Sequence, residues 1–221
     1  MKAWVAGATG ETGQRIVRQL VERNIAVRAF VRDRTRAQAL FPESVEIAVG
    51  DVLQPEILKA SMEDCDIVFC ATGARPSWNP LGPYQVDCEG TKNIIDAAKS
   101  LQVKHFVLVS SLCASQFFHP LNLFWLILVW KQQAEQYLQQ SGLTYTIVRP
   151  GGLRSTEDQN AITMSGADTL FEGSISRTQV AQVCIEALFH SSAQNKIVEI
   201  VSKPDATQRP FEDLFTSVAI Q

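Results

Sequence analysis

Ala3-Trp4-Val5-Ala6-Gly7-Ala8-Thr9-Gly10-Glu11-Thr12-Gly13 is the stretch whose reading decides the fold. Four apolar residues enter three glycines in the spacing G-x-x-G-x-x-G. The glycines lead into residues 11–23, where Ile16, Val17, Leu20 and Val21 recur on one helical face. A glycine spacing alone is weak evidence, but between a buried strand and an amphipathic helix it has a mechanical meaning. Glycines permit a tight turn and let the backbone approach a pyrophosphate. The helix N-terminus then presents free N–H groups and the positive end of its dipole. Gly7, Thr9, Gly10, Glu11, Thr12 and Gly13 are therefore expected to hold the diphosphate of a dinucleotide.

Outward from this stretch, apolar runs and helical stripes alternate along the chain. The pattern predicts strands over 3–6, 25–31, 45–49, 66–71, 105–109, 144–148 and 197–201. It predicts helices over 11–23, 84–101, 178–189 (with Ser176 as N-cap) and 211–218, and one that follows the fifth strand and ends near residue 140. Strands alternating with helices form right-handed βαβ units. The expected fold is thus one α/β domain over 1–221, a doubly wound parallel sheet of the Rossmann type with helices on both faces. Residues 154–170 show little periodicity. They are expected to form an ordered excursion at the strand ends, where such sheets meet their ligands.

The end of the second strand distinguishes two cofactors. An NAD site places Asp or Glu about 20 residues beyond the glycines, where it accepts from the ribose hydroxyls. Here the chain reads Val31-Arg32-Asp33-Arg34-Thr35-Arg36. Guanidinium groups make paired, charge-assisted hydrogen bonds to phosphate, so Arg32 and Arg36 are expected to hold the 2′-phosphate of NADP(H). The competing reading is a solvated basic turn in which Asp33 serves NAD.

Composition narrows the function classes. Lys+Arg number 20 against 23 Asp+Glu, for a net charge of −3, with no basic stripe, so no nucleic-acid partner is expected. The five cysteines form no C-x-x-C pair and the three histidines lie far apart, so reduced thiols and no metal site are expected. No secretory leader precedes the first strand, and the expected location is the cytoplasm.

Further motifs carry a resemblance over nearly the whole chain. They are Gly50-Asp51-Val52, Ala71-Thr72-Gly73, Val86-Asp87-Cys88-Glu89-Gly90-Thr91, Phe106-Val107-Leu108-Val109-Ser110-Ser111 and Val148-Arg149-Pro150-Gly151-Gly152. With the glycine loop, they make the sequence similar to the NmrA-like, atypical branch of the short-chain dehydrogenase/reductases. Within that branch it resembles the flavin reductase/biliverdin-IXβ reductase type. It also resembles the NAD(P)-binding domain of the chloroplast inner-envelope translocon subunit, whose proline/serine-rich tail is not expected here. The resemblance implies that Asp51 and Val52 hold the adenine. It implies that Ala71, Thr72 and Gly73 line the ribose and nicotinamide side, and that Pro150, Gly151 and Gly152 close over the nicotinamide.

The resemblance also implies a catalytic pattern, Y-x-x-x-K assisted by a serine after the fifth strand. Lys131 stands at the lysine position and Ser111 at the serine position, but Ile127 occupies the place of the tyrosine. Ile127 cannot donate a proton. One reading is an NADPH-dependent reductase with a planar aromatic acceptor that needs no protein acid: a flavin foremost, with a bilin or quinone next. Ser111 would orient the acceptor, and Lys131 would bridge the nicotinamide ribose hydroxyls. The other reading is a non-catalytic NADP(H)-binding sensor or scaffold.

Residues 121–130 are apolar except for Asn122, yet too few to span a membrane. One expectation is a buried helix at the ligand-facing end of the sheet, lining a dimer interface or an aromatic pocket in which Phe124, Trp125 and Trp130 stack on the acceptor. The other is a face over 117–130 that meets a membrane or a protein partner.

Overall fold

The computed structural model describes residues 1–74, 80–123, 125–157 and 160–219. Its strands are β1 (Lys2–Ala6), β2 (Ala26–Val31), β3 (Glu46–Val49), β4 (Ile67–Cys70), β5 (His105–Val109), β6 (Tyr145–Pro150), β7 (Gly152–Arg154), β8 (Ala161–Ser165), β9 (Ser174–Ser176) and β10 (Lys196–Lys203). Its α-helices are α1 (Glu11–Glu22), α2 (Arg34–Leu40), α3 (Pro55–Met62), α4 (Thr91–Ser100), α5 (Ile127–Gln139), α6 (Arg177–Glu186) and α7 (Phe211–Thr216). Eight strands form one sheet in the order β3-β2-β1-β4-β5-β6-β10-β8, parallel except for β8. β7 and β9 pair separately as a short parallel ribbon.

Strand alternation sorts the core into two layers. Ala3 and Val5 of β1 face a cluster with Ile16, Val17 and Leu20 of α1 and Val180, Ala181 and Cys184 of α6. Trp4 and Ala6 face the opposite cluster, with Leu58 and Met62 of α3, Ile94 and Ile95 of α4 and Leu138 of α5. The sheet is therefore covered on both sides, as the near-continuous apolar runs of its inner strands require. α6 is N-capped by Ser176 as expected: its Oγ accepts from the Gln179 N–H at 3.2 Å, and the Gln179 side chain reaches back to the Ser176 N–H. α7 is fastened by the buried Lys196, whose Nζ donates to the carbonyls of Phe215 and Val218 at its C-terminal end.

Several elements correct the expectations. The sheet is not wholly parallel, because the excursion after β6 returns as β8, an edge strand that runs antiparallel to β10. Its burial follows no simple alternation, so only pairing with β10 makes it a strand. α2 and α3 were not anticipated. α2 buries only Ala37 and owes its start to Asp33, whose carboxylate accepts from the Arg36 N–H at 3.1 Å. α3 buries only Leu58 and Met62, too few for a recognisable stripe. The helix expected over 84–101 begins as a π-helical segment, Tyr84–Gly90, before α4. The apolar run before Lys131 is not one buried helix: a 3₁₀ turn, Pro120–Leu123, precedes α5, and Leu123, Trp125 and Leu126 are exposed.

His105, buried on β5, is the neutral histidine of this core. The Thr146 hydroxyl donates to the Ala193 carbonyl at 2.8 Å, so its oxygen accepts from His105 Nε2 at 2.9 Å. Burial pushes the His105 pKa down to about 4. The unfolded chain then binds a proton near pH 6.5 that the folded chain refuses. This stability is present above pH 6.5 and is lost as pH falls towards 4. Between pH 7 and pH 4.5, denaturant titrations should show a loss about 2 kcal/mol larger for the wild type than for His105→Gln. Equal losses would remove His105 from the acid response.

Candidate functional site

The C-terminal ends of β1, β2, β3 and β4 surround a cleft of about 400 Å³. Its lining includes Gly7, Thr9, Gly10, Arg32, Asp51, Val52, Ala71, Thr72 and Gly73. Most of the residues expected to hold a dinucleotide thus meet in one place. Gly7 has φ +72°, and a Cβ there would lie 2.4 Å from the Ala71 carbonyl oxygen. A Cβ on Gly13 would lie 2.2 Å from the Gly7 carbonyl oxygen, so α1 sits directly on the turn. Glu11, Thr12 and Gly13 form the first turn of α1, whose N–H groups have no intrahelical partners, and the turn follows directly on Gly10, which lines the cleft. This cradle, too tight for any side chain, fits a diphosphate.

The basic turn divides its work. Arg32 lines the cleft, and Arg36 lies over the glycine loop with Nη2 donating to the Thr9 carbonyl at 3.3 Å. Arg34 points away, to the Ile47 carbonyl. Asp33 is engaged as the α2 cap, which leaves it poorly placed to receive ribose hydroxyls. Asp51 Oδ1 accepts from the Leu53 N–H at 3.0 Å and shapes the turn after β3. The Val52 side chain lies against Gly90, where a Cβ would come within 2.4 Å of it.

Beyond Gly73 the site becomes a buried polar wall. The Ala74 N–H donates to Asp87 Oδ2 at 3.0 Å, and Lys131 Nζ lies 2.7 Å from Asp87 Oδ1. Burial alone would lower the Lys131 pKa, but the Asp87 charge outweighs it and holds the ammonium above the usual lysine range. The contact is an ion pair that leaves Oδ1 without a well-formed hydrogen bond. Ser110 Oγ is likewise buried, with no hydrogen-bond partner among the described residues. The β5 ladder continues past Val109, with the Ser110 N–H on the Val148 carbonyl and the Leu112 N–H on the Pro150 carbonyl. By that alternation Ser110, like Phe106 and Leu108, faces the α5 side of the sheet, whereas Ser111 faces the other.

The remaining expected residues are placed differently. Ile127 packs beside Leu112, Cys113, Leu128 and Val201, so the tyrosine position lies in an apolar cluster. Trp130 meets Tyr84 edge-on at 5.0 Å, and its indole N–H donates to the Trp125 carbonyl at 2.9 Å. Trp125 is exposed, and Phe124 lies outside the described residues. Gly151 and Gly152 form the joint to the β7–β9 ribbon, where the Gly152 N–H donates to the Gly173 carbonyl at 2.9 Å. Tyr137 donates to Asp96, on the outer side of α5. No group of residues suited to a metal occurs among the described residues.

Beside this wall is a buried ionic hub that the motifs did not reveal. Arg149 Nη2 donates to Glu135 Oε2 at 2.6 Å and its Nε also contacts that carboxylate, while Nη1 reaches Asp168 at 2.9 Å and Glu199 at 3.3 Å. Glu199 in turn accepts from the N–H groups of Asp168, Thr169 and Leu170. The signal was present as isolated charges inside apolar strands: Arg149 after Ile147-Val148, and Glu199 within Ile197 to Val201. A charge so placed has to find partners.

Residues 7–191 match the family described as NAD(P)H-binding. The chain is 45% identical to an uncharacterised chloroplastic protein of Arabidopsis thaliana, over 98% of this chain and 82% of that one. It is 37% identical to Protein TIC 62, chloroplastic, of Pisum sativum, over 99% of this chain but only 46% of that protein. It is 33% identical to sanguinarine reductase of Eschscholzia californica, over 97% and 94% of the two chains. Among solved structures it resembles a putative NAD-dependent epimerase/dehydratase from Bacillus halodurans, with TM-score 0.86 and 26% identity over 98% and 99% of the chains.

Two outcomes are expected from the site. NADPH should bind more tightly than NADH, and Arg32→Ala should weaken NADPH by roughly 10-fold or more, the worth of a charge-assisted hydrogen bond, while sparing NADH. Isothermal titration decides this, and equal affinities in the wild type would overturn the reading of the arginines. Lys131→Ala should lose about 3 kcal/mol of stability, because it strands the buried Asp87 carboxylate. Adding Asp87→Asn should restore most of that loss, and additive losses in thermal denaturation would show that the pair is not coupled.

Proposed function

The chain belongs to the NAD(P)H-binding family, in the NmrA-like atypical branch of the short-chain dehydrogenase/reductases, and on that premise we propose that it is an NADPH-dependent reductase whose acceptor is a planar aromatic molecule, a flavin foremost. The observation that carries this reading is Ile127. At the position of the superfamily's acid stands a hydrocarbon side chain built into an apolar cluster. Ile127 itself has no proton to give to an acceptor. A flavin tolerates this, because its reduced form takes a proton from water, and positioning supplies most of the rate.

The residues divide the binding between them. The glycine loop and the first turn of α1 hold the diphosphate. Arg32 and Arg36 hold the 2′-phosphate, Asp51 and Val52 the adenine, and Thr72 and Gly73 the ribose side. When bound there, the reduced nicotinamide supplies a hydride. Lys131 and Asp87 set the polar wall at that end, and Ser110 presents the hydroxyl on the same side of the sheet. Lys131 keeps its charge through the Asp87 pair, so its role is to position the ribose rather than to pass a proton. The sanguinarine reductase among the relatives supports a reductase.

A second reading, an NADP(H)-binding sensor or scaffold, is favoured by the same absent acid and by the likeness to TIC 62, of which the chain spans about half. One assay separates the two. Purified protein is mixed with NADPH and a panel of flavins, bilins, quinones and simple aldehydes and ketones, and the nicotinamide absorbance is followed. The reductase reading expects turnover with a planar acceptor and little or none with simple carbonyls. Tight NADPH binding without turnover across the panel would favour the sensor, and brisk carbonyl reduction would mean that an acid exists elsewhere in the site.

A further inference from the structure

The loop over 166–173, between β8 and β9, lies on the surface yet is anchored along its whole length. Glu199, wholly buried on β10, turns both carboxylate oxygens to it. Oε1 accepts from the Asp168 N–H at 2.9 Å, and Oε2 accepts from the N–H groups of Thr169 and Leu170 at 3.0 and 2.7 Å. Asp168 Oδ1 accepts from Arg149 Nη1 at 2.9 Å and from the Ser115 hydroxyl at 2.6 Å. The Cys113 thiol donates to the Phe171 carbonyl at 3.5 Å, and the Gly173 carbonyl accepts from the Gly152 N–H at 2.9 Å. Cys113 and Asp168 both hold a left-handed backbone, φ +61°, while making these contacts. Such strain persists only where the surroundings impose it, and it collects at sites that hold a ligand.

These anchors fix one exposed aromatic ring. Leu170 packs against the apolar cluster of Leu112, Cys113, Leu128 and Val201 that also holds Ile127, while the next side chain, Phe171, is 56% exposed. The Phe171 backbone is tied to the segment that leaves β5, through Cys113, and two residues later the chain is tied to the joint that leaves β6, through Gly173 and Gly152. The end of β5 also bears Ser110, on the Lys131 side of the sheet. Parallel sheets of this topology bind their ligands beyond such strand ends. The tryptophans before Lys131 are engaged with other groups: the Trp130 ring meets Tyr84 edge-on, and its indole N–H donates to the Trp125 carbonyl.

A phenyl ring on a fixed backbone loses little freedom when a second ring stacks on it, so the contact is gained at small entropic cost. Aromatic rings pair in offset or edge-on arrangements with a planar partner, and a small aliphatic carbonyl offers no such face. We propose that Phe171 is the ring on which the hydride acceptor stacks, and hence the residue that selects a broad planar molecule over a small carbonyl. This inference rests on the reductase reading and assigns to one side chain the choice of acceptor. The hub of Arg149 and Glu199 then has a use at the site: it holds the loop that carries the ring.

The test needs no turnover. The whole chain, saturated with NADP+, is titrated with riboflavin, and binding is read from the fluorescence anisotropy of the flavin. The wild type should bind. Phe171→Ala should weaken riboflavin about tenfold, the worth of one aromatic stack, while NADP+ affinity stays unchanged. Phe171→Trp should retain the affinity and quench the bound flavin further, because an indole in contact with an excited flavin passes it an electron. Phe118→Ala, which removes a more exposed ring from the loop before α5, should leave riboflavin binding as it is. Equal riboflavin affinity in the wild type and Phe171→Ala, or an equal loss in Phe118→Ala, would overturn the inference and leave the reductase reading intact. A parallel loss of NADP+ affinity in Phe171→Ala would overturn it by showing that the ring supports the fold. A wild type that binds NADP+ but no riboflavin would overturn the flavin reading and the inference with it.

Discussion

Backbone has to touch backbone where the strands of this sheet end. The turn after β1 lies against the carbonyl of Ala71, and α1 sits on the carbonyl of Gly7, with no room for a Cβ at Gly7 or Gly13. At the turn after β3 the absence of a Cβ at Gly90 admits a side chain instead, that of Val52. The cleft exists because the glycines at these turns leave room for close approach. Any residue larger than glycine would wedge the strand ends apart and remove the N–H groups of α1 from the place where an anion can meet them.

The opposite wall depends on charge rather than on close approach. The inner face of α5 carries Lys131 and, one turn later, Glu135. The first is neutralised by Asp87, from the segment before α4, and the second by Arg149, from β6. α5 is thereby held to both halves of the molecule by ion pairs in a region of low solvent access, where an unpaired charge costs several kcal/mol. The hub extends through Glu199 to the backbone of residues 168–170. The helix that bears the lysine, the strand that precedes the Gly151-Gly152 joint and the loop beside Phe171 therefore form one unit.

That unit also borders the surroundings of Ile127. Where a tyrosine would need access to solvent and substrate, Ile127 joins Leu128, Val201 and Leu112 in an apolar cluster. Lys131 is paired with Asp87 rather than with a phenol. The loop before it displays Phe118, Leu123 and Trp125 to solvent.

The glycine spacing, the amphipathic helix behind it and the alternation of apolar runs settled the doubly wound sheet, because local periodicity reflects which face is buried. The arginines after β2 were legible as cleft residues for an equally local reason: their charge and position are properties of one turn. Tertiary structure decided what depends on distant partners. β8 became an antiparallel strand only by pairing with β10. Ser110 rather than Ser111 came to the Lys131 side through the β5 ladder with β6. Asp87, Glu135, Arg149 and Glu199 lie scattered over the chain, and only packing around the sheet ends brings their charges together. The apolar run over 117–130 reads in sequence as a buried helix or as a face that meets a membrane or a partner. Tertiary structure left Phe117, Phe118, Leu121, Leu123 and Trp125 exposed and Asn122 buried, since hydropathy records that a side chain avoids water but not which apolar surroundings it meets.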